Sequence, residues 1–197
     1  MEIDNKKKLV SPTGVDVNTG LLHGSAFIKS PNYDVRKPGD TPELIVVHSI
    51  SLPPNQFGGN AITQLFTNTL NPDEDPYFET IQHLKVSSHL LIRRDGAVIQ
   101  YVPFHLRAWH AGVSEFEGRT ACNDFSIGIE LEGTDTTCYT ASQYKALANV
   151  IKQLWQAYPS LSEHKVAGHD EIAPGRKTDP GVYFMWEALD RLLDTVD

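Results

Sequence analysis

The order of apolar and polar residues predicts mainly short strands in the first two thirds of the chain and two longer helices in the last third. Residues 44–47, LIVV, form an unbroken apolar run between prolines, which is typical of a strand buried on both faces. Residues 89–102 carry Asp95-Gly96 between two β-rich arms, and this arrangement predicts a hairpin. Residues 60–70 allow a short helix.

A third strand is predicted by the strict alternation of residues 124–133, DFSIGIELEG. One face of this strand is apolar and is expected in the core: Phe125, Ile127, Ile129 and Leu131. The other face carries two carboxylates, Glu130 and Glu132. Gly128 lies beside Glu130, and a strand glycine often marks the close approach of a ligand or of another backbone.

Two helices are predicted towards the C-terminus. Thr140 and Gln143 have the spacing of a capping box, and apolar residues then follow at helical intervals until Pro159. A second helix is predicted to begin at Asp179-Pro180, with Asp as the N-cap and Pro at the first helical position. Its apolar stripe consists of Val182, Met185, Trp186, Leu189, Leu192 and Leu193.

The mixture of hairpins and helices predicts one α/β domain, in which helices flank a central mixed β-sheet. A length of 197 residues suits one globular domain. Residues 1–27 are rich in Gly, Ser, Asp and Asn without a sustained period, so we expect a partly extended lead-in there. The domain itself is then expected to span residues 28–197.

The formal net charge of −8 argues against a nucleic-acid partner, because phosphate binding needs clustered Lys and Arg. The Lys6-Lys7-Lys8 run is interpreted as part of a solvated tail. No apolar stretch approaches a membrane span or a secretory signal, and two cysteines, Cys122 and Cys138, are too few for a disulfide framework. We therefore expect a cytoplasmic monomer without a membrane partner.

Five residues have the complementary chemistry of a zinc hydrolase. The imidazoles of His48 and His169 with the carboxylate of Asp179 form a three-ligand set, which leaves the fourth tetrahedral position of zinc open for water. Glu130 is a candidate base for that water, and Lys177 is a candidate charge for stabilising an oxyanion. No linear motif such as H-E-x-x-H joins these residues, so their spacing alone does not bring them together.

Four of these residues also have an ordinary structural interpretation. His48 suits a hydrogen-bonded core histidine, and Glu130 suits a solvent-facing strand position. Lys177 suits a solvated charge, and Asp179 suits a helix cap. Both interpretations remain open at the level of residue chemistry.

Five blocks of the chain resemble the AmpD-type 1,6-anhydro-N-acetylmuramoyl-L-alanine amidases, zinc enzymes of bacterial cell-wall recycling. The blocks are LIVVHSISLPPNQFGG, SSHLLIRRDGAVIQYVPF, RAWHAGVSEFEGR, CNDFSIGIELEGTD and GHDEIAPGRKTDPG. They occur in order between about Ser30 and Trp186. The resemblance implies the fold shared by peptidoglycan-recognition proteins and phage-type amidases, with a central mixed sheet flanked by helices.

The resemblance also implies roles by position. It implies zinc ligation by His48, His169 and Asp179, a catalytic carboxylate at Glu130 and a catalytic lysine at Lys177. It places three further residues at the substrate groove: Trp109, His110 and Arg176.

The expected reaction is therefore hydrolysis of the amide between the lactyl group of anhydro-N-acetylmuramic acid and the L-alanine of the stem peptide, in an anhydromuropeptide. Two alternatives remain. One is a binding module of the same fold that recognises peptidoglycan fragments without cutting them. The other is an amidase that acts on the intact cell wall, which requires export.

Overall fold

The computed structural model describes residues 12–161 and 165–195. The strands are β1 (Val15–Asp16), β2 (Leu21–Leu22), β3 (Ala26–Phe27), β4 (Tyr33–Val35), β5 (Leu44–Ile50), β6 (Leu90–Ile92), β7 (Val98–Gln100), β8 (Leu106–Ala108), β9 (Glu115–Phe116), β10 (Arg119–Thr120), β11 (Ser126–Glu132) and β12 (Val166–Gly168). The helices are α1 (Ala61–Phe66), α2 (Pro76–Ile81), α3 (Ala141–Ala157), α4 (His169–Ile172) and α5 (Trp186–Leu193), with 3₁₀ turns at Pro72–Glu74 and Cys122–Asp124. Among the described helices, none has both the length and the apolar character needed to cross a bilayer.

A six-stranded mixed sheet with the order β12-β5-β11-β6-β7-β3 forms the centre of the molecule. Neighbouring strands are parallel except β6 and β7, which form the antiparallel hairpin predicted around Asp95-Gly96. Gly96 takes a φ of +90° in the connecting turn, a conformation that favours glycine. The predicted mixed sheet flanked by helices is confirmed.

The two central strands, β5 and β11, have faces with different surroundings. Residues 44–47 are fully buried, as the apolar run predicts. One face of the two strands joins the largest apolar cluster, beneath α3 and α5, through Ile45, Val47, Ile127, Ile129 and Leu131. On the other face Leu44 and Val46 pack with Ala167 and Ile172. Because side chains alternate along a strand, His48 and Glu130 continue this second face towards the carboxyl ends of the strands.

Phe125 does not share the face of Ile127, contrary to the predicted alternation. It precedes β11, ends the 3₁₀ turn Cys122–Asp124, and packs with Leu44 and Val46. The alternation applies only from Ser126, where the extended backbone begins.

Helix α3 begins as predicted. The Thr140 side chain accepts a hydrogen bond from Gln143 N, and the Gln143 side chain accepts one from Thr140 N, so the capping box is complete. The buried face of the helix then covers the sheet with Leu147, Ile151 and Leu154. Trp155 and Trp186 pack against the same cluster, as expected for packing residues.

The predicted helix start at Asp179-Pro180 is wrong. Helix α5 begins at Trp186 with Met185 as the N-cap, and Val182 is 92% exposed. Two features prevent an earlier start. The Asp179 carboxylate contacts His169 instead of capping the residues that follow it, and Gly181 has a φ of +84°, outside the helical region.

The same dipeptide does begin a helix elsewhere. Asp75 Oδ1 accepts a hydrogen bond from Tyr77 N at 2.8 Å, and Pro76 occupies the first helical position of α2. This helix is not among the elements that the sequence predicts, because residues 71–76, NPDEDP, have the proline and acidic residues typical of a loop.

The described part of the expected lead-in carries strands. β1 and β2 form a small antiparallel pair, and β3 adds to the edge of the central sheet beside β7. Leu22 is buried in the main apolar cluster. The Lys6-Lys7-Lys8 run lies outside the described residues, and the boundary between residues 27 and 28 stays a prediction.

Candidate active site

The topology of the sheet brings His48 and His169 together. His48 is the fifth residue of β5, and His169 follows directly after β12, the parallel neighbour of β5. Carboxyl ends of parallel strands meet at one edge of a sheet, where ligands of α/β folds commonly bind. The turn into α4 is fixed because the Glu171 carboxylate accepts a hydrogen bond from Gly168 N at 3.0 Å.

Asp179 reaches the same place from a loop held at several points. Its backbone carbonyl accepts a hydrogen bond from Asp170 N at 2.9 Å, and its Oδ2 accepts one from Ser49 N at 3.4 Å. The next residue is held because the Tyr139 hydroxyl donates to Pro180 O at 2.8 Å. Asp179 is thereby fixed without the support of a helix or a strand.

Three ligand atoms of these residues converge. His48 Nδ1 lies 2.8 Å from His169 Nδ1, His169 Nδ1 lies 3.0 Å from Asp179 Oδ2, and His48 Nδ1 lies 3.4 Å from Asp179 Oδ2. Tetrahedral zinc with bonds of about 2.0–2.1 Å places its ligand atoms roughly 3.3 Å apart. The side chains therefore have the spacing of a metal site.

The donor chemistry also fits a cation. The Nε2 of His169 lies 3.2 Å from Ala111 O, and a carbonyl only accepts, so Nε2 of the neutral ring carries the proton and Nδ1 presents a lone pair. This lone pair points towards a carboxylate oxygen. A nitrogen lone pair and a carboxylate oxygen in contact repel one another unless a cation or a proton lies between them.

Burial and mutual contact determine the charge of the group. Burial lowers the pKa of His48 to about 4, against the opposing effect of its contact with Asp179. Burial by itself would raise the pKa of the Asp179 carboxyl, but its close contacts with His169 and His48 outweigh burial and hold that pKa far below its usual range. Neutral imidazole and ionised carboxylate are the forms that bind metal.

Glu130 lies beside this group. It is aligned with His48 in the parallel register of β11 and β5, so both side chains project from the same face. Its carboxyl group is buried, and its Oε2 has no hydrogen-bond partner among the described residues. Burial, followed by the negative charge of Asp179, raises the pKa of Glu130 well above its usual range, and the charge of Lys177 opposes this rise. Such a carboxyl group is suited to accept and return a proton.

Lys177 lies on the exposed side of the site. Its backbone N–H donates to Ala173 O at 3.1 Å, and its side chain is exposed. Its positive charge acts on both His48 and Glu130. The structure therefore places all five candidate residues in one neighbourhood.

Two of the predicted substrate contacts, Trp109 and Arg176, are held by hydrogen bonds. Trp109 is half-buried, and its backbone N–H donates to Ser87 Oγ at 3.1 Å. Arg176 donates to Ala111 O and Val113 O, both at 2.6 Å, and lines a cavity of about 580 Å³ whose wall includes Val113 and Ile172. The guanidinium is thus held in place at the rim of a cavity.

His110, the third predicted substrate contact, lies behind His48. Its Nδ1 is 2.9 Å from His48 Nε2, and its Nε2 is 3.1 Å from Ser126 Oγ. Both ring nitrogens therefore already have partners within the protein. The one sequence signal for this contact was Gly128, where an added Cβ would lie 2.4 Å from His110 Cγ.

Residues 38–182 match the family described as N-acetylmuramoyl-L-alanine amidase. This stretch is well over half of the chain and contains all five candidate residues. The chain belongs to the N-acetylmuramoyl-L-alanine amidase family.

The amidase has similar relatives of known name. It is 57% identical over 167 residues to the 1,6-anhydro-N-acetylmuramyl-L-alanine amidase AmpD of Escherichia coli. The aligned residues make up 85% of this chain and 91% of the relative. The crystal structure of a Se-Met AmpD derivative superposes with a TM-score of 0.88 at 53% identity, over 92% and 99% of the two chains. AmpDh3 from Pseudomonas aeruginosa, in complex with anhydromuramic pentapeptide, superposes with a TM-score of 0.61 at 27% identity, over 84% and 65%.

These similarities confirm the family and the fold expected for the amidase. They also confirm that it is a hydrolase of the amidase class.

Proposed function

We propose that this amidase is a zinc enzyme that cleaves the amide between the lactyl group of 1,6-anhydro-N-acetylmuramic acid and the L-alanine of the stem peptide. The observation that carries the proposal is the convergence of His48 Nδ1, His169 Nδ1 and Asp179 Oδ2 beside the buried Glu130 carboxyl. The name of the Escherichia coli relative, which specifies the anhydro sugar, supports this choice of substrate.

His48, His169 and Asp179 are the residues that would hold the metal. A zinc ion in this position supplies a Lewis acid that polarises a carbonyl group and acidifies water. Burial keeps the His48 imidazole neutral, while the Asp179 carboxylate keeps its charge. The ligand set is therefore ready for a divalent cation at neutral pH.

Glu130 moves the proton in this proposal. Its carboxylate takes a proton from the attacking water, whose oxygen forms a bond to the carbonyl carbon. The same proton then passes from Glu130 to the amine nitrogen as the carbon–nitrogen bond breaks. A raised pKa suits the first step, because it makes the Glu130 carboxylate a stronger base.

Lys177, Trp109 and Arg176 complete the proposed site. The Lys177 ammonium stabilises the negative charge that develops on the carbonyl oxygen. Trp109 and Arg176 contact the substrate, with Arg176 at the rim of the cavity. His110 is left out of this set because both of its ring nitrogens have protein partners.

The proposal is tested with purified protein and three substrates: an anhydromuropeptide, its counterpart with a reduced sugar, and intact cell wall. We expect free stem peptide from the anhydromuropeptide and little from the other two. Zinc-loaded protein that binds the fragments but releases no peptide would instead establish a binding module. Preferred cleavage of intact wall would establish a different substrate.

The proposal keeps the predicted cytoplasmic location and monomeric state. Cell fractionation should recover the protein with cytoplasmic markers, and light scattering should give the mass of one chain. Recovery with the envelope fraction would contradict the recycling role.

A further inference from the structure

The second ring nitrogen of His48 has an unusual partner. Its Nε2 lies 2.9 Å from Nδ1 of His110, and the two rings meet edge to face with centroids 5.0 Å apart. Metal-binding histidines usually direct this nitrogen to a carboxylate, a backbone carbonyl or water. An imidazole is both donor and acceptor, so the direction of this hydrogen bond has to be established from its other contacts.

The direction of this hydrogen bond follows from a backbone carbonyl, that of Cys122, which ends a series of hydrogen bonds through His110 and Ser126. Ser126 Oγ lies 2.6 Å from Cys122 O, and because a carbonyl only accepts, the Ser126 hydroxyl donates there. The hydroxyl has no second proton to give, so at 3.1 Å it accepts from Nε2 of His110. His110 therefore carries a proton on Nε2.

The second nitrogen of His110 is then an acceptor. The ring contacts His48, Ser126 and the backbone of Gly128, and among the described residues no carboxylate forms an ion pair with it. A protonated ring there would be an enclosed charge without a counter-charge, so the ring is neutral. A neutral ring with its proton on Nε2 has a lone pair on Nδ1. That lone pair accepts from Nε2–H of His48, which leaves Nδ1 of His48 without a proton.

We propose that His110 and Ser126 are positioning residues that hold the ring proton of His48 on Nε2, so that Nδ1 presents its lone pair to a metal ion. This inference rests on the proposed function, in which His48 is a zinc ligand. His110 thereby acts through His48 and touches neither the substrate nor the reacting atoms.

The surroundings of His110 are built to keep the ring in this place. Its backbone N–H donates to Asn123 Oδ1 at 3.0 Å, and the next backbone N–H, of Ala111, donates to the same oxygen at 2.8 Å. The ring lies directly on the backbone of Gly128, where any Cβ would collide with it. The alternative of a freely rotating surface histidine does not fit these contacts.

A matched pair of substitutions at one position tests the inference. His110→Asn keeps an acceptor oxygen near the position of Nδ1, whereas His110→Leu has nearly the same shape and no acceptor. Zinc affinity of the full chain is measured by competition with a chelator of known affinity. We expect His110→Leu to bind zinc about 10–100-fold more weakly than the wild type, and His110→Asn to recover most of that loss.

Two controls separate positioning from general damage. His83→Leu removes an exposed histidine and should leave zinc affinity unchanged. Ile151→Val lowers the stability of the opposite face of the sheet, and it should also leave zinc affinity unchanged. Equal affinities in His110→Leu and His110→Asn would overturn the inference, even if both variants bind zinc weakly.

A second readout needs no zinc. Long-range proton–nitrogen correlation spectra of the metal-free protein report which ring nitrogen of each histidine carries the proton. We expect Nε2–H in both His48 and His110, and loss of the single His48 tautomer in Ser126→Ala. A wild-type His48 proton on Nδ1 would contradict the inference whether or not the protein binds zinc. Failure of the wild type to bind zinc would instead contradict the proposed function.

Discussion

Glu130 carries out both proton transfers of the proposed reaction. Its buried Oε2 has no hydrogen-bond partner in the described part of the chain, and such a group is costly to bury unless it has a function. We predict that Glu130→Gln retains zinc but loses roughly 10²–10⁴-fold in turnover, because the amide cannot take the proton of the attacking water. Zinc content and turnover of the anhydromuropeptide check this prediction.

Glu132 provides the matched control for that variant. It lies on the same face of β11, and its carboxylate accepts hydrogen bonds from Gly58 N at 2.6 Å and Arg94 N at 3.1 Å. Glu132→Gln should therefore lower the melting temperature while keeping turnover per folded molecule. Full activity in Glu130→Gln, or equal loss in both variants, would contradict the assignment of Glu130 as the base.

At the scale of residues, the sequence predicts which residues form the candidate site better than it predicts the contacts between side chains. His48, His169 and Asp179 follow from the chemistry that zinc requires, and the structure places them together. The contact between His110 and His48 did not follow, because it joins residues 62 positions apart through ring nitrogens whose direction depends on Ser126. Only Gly128 marked the close approach in the sequence, and it did not identify what approaches.

At the scale of elements, the start of α3 depends on Thr140. Its hydroxyl accepts from Gln143 N at 3.1 Å and donates to Arg94 O at 2.7 Å, so it joins the helix to the β6–β7 turn. We predict that Thr140→Ala destabilises the protein by about 1 kcal/mol, which corresponds to a fall of roughly 2–4 °C in melting temperature. Calorimetry of the metal-free protein measures this change.

Ser142→Ala is the control for that prediction, since Ser142 is an exposed residue in the first turn of the same helix. It should change the stability by less than about 0.5 kcal/mol. An equal fall for the two variants would show that the capping box contributes nothing specific.

The two Asp-Pro dipeptides show why element boundaries are harder to predict than elements. Asp75 is free to cap α2, whereas the carboxylate of Asp179 is engaged by His169 and His48. The local signal is the same in both places. Asp179 does not cap a helix because it contacts His48, 131 positions away in the sequence. The residues next to Asp179 do not predict this contact.

For the whole molecule, one ionic cluster predicts a response to acid. Asp124 accepts from Lys37 Nζ and from Arg107 Nε, both at 2.6 Å, and thereby joins distant segments of the chain. Burial by itself would raise the pKa of Asp124, but hydrogen bonds from Lys37 and Arg107 outweigh it and hold that pKa below its usual value. The carboxylate thus favours the folded state above the unfolded pKa of about 3.9, and this contribution is lost as the pH falls through the lower folded pKa.

We therefore predict that Asp124→Asn lowers the free energy of unfolding at pH 7 and makes it less sensitive to acid below about pH 4. Urea unfolding of metal-free wild type and variant between pH 7 and 3 measures the difference. Asp73→Asn, at an exposed carboxylate, should follow the wild type. Parallel stability curves for Asp124→Asn and the wild type would contradict the prediction.

The architecture of the whole molecule was largely predictable, because the central strands carry clear periodic patterns. The short strands near the N-terminus were not, since β1, β2 and β3 have two residues each and no local period. Their strand conformation depends on contacts with the rest of the fold. β3 pairs with β7, and Leu22 of β2 packs in the main apolar cluster. Such partners are properties of the folded chain rather than of the segment.

The proposed function depends on a zinc ion held by His48, His169 and Asp179. Anomalous diffraction at the zinc edge, from a crystal of the zinc-loaded protein, tests it most directly. We expect one strong peak per chain, about 2.0–2.1 Å from Nδ1 of each histidine and at a similar distance from an Asp179 carboxylate oxygen. A peak elsewhere, or zinc bound through Nε2 of His48, would contradict it.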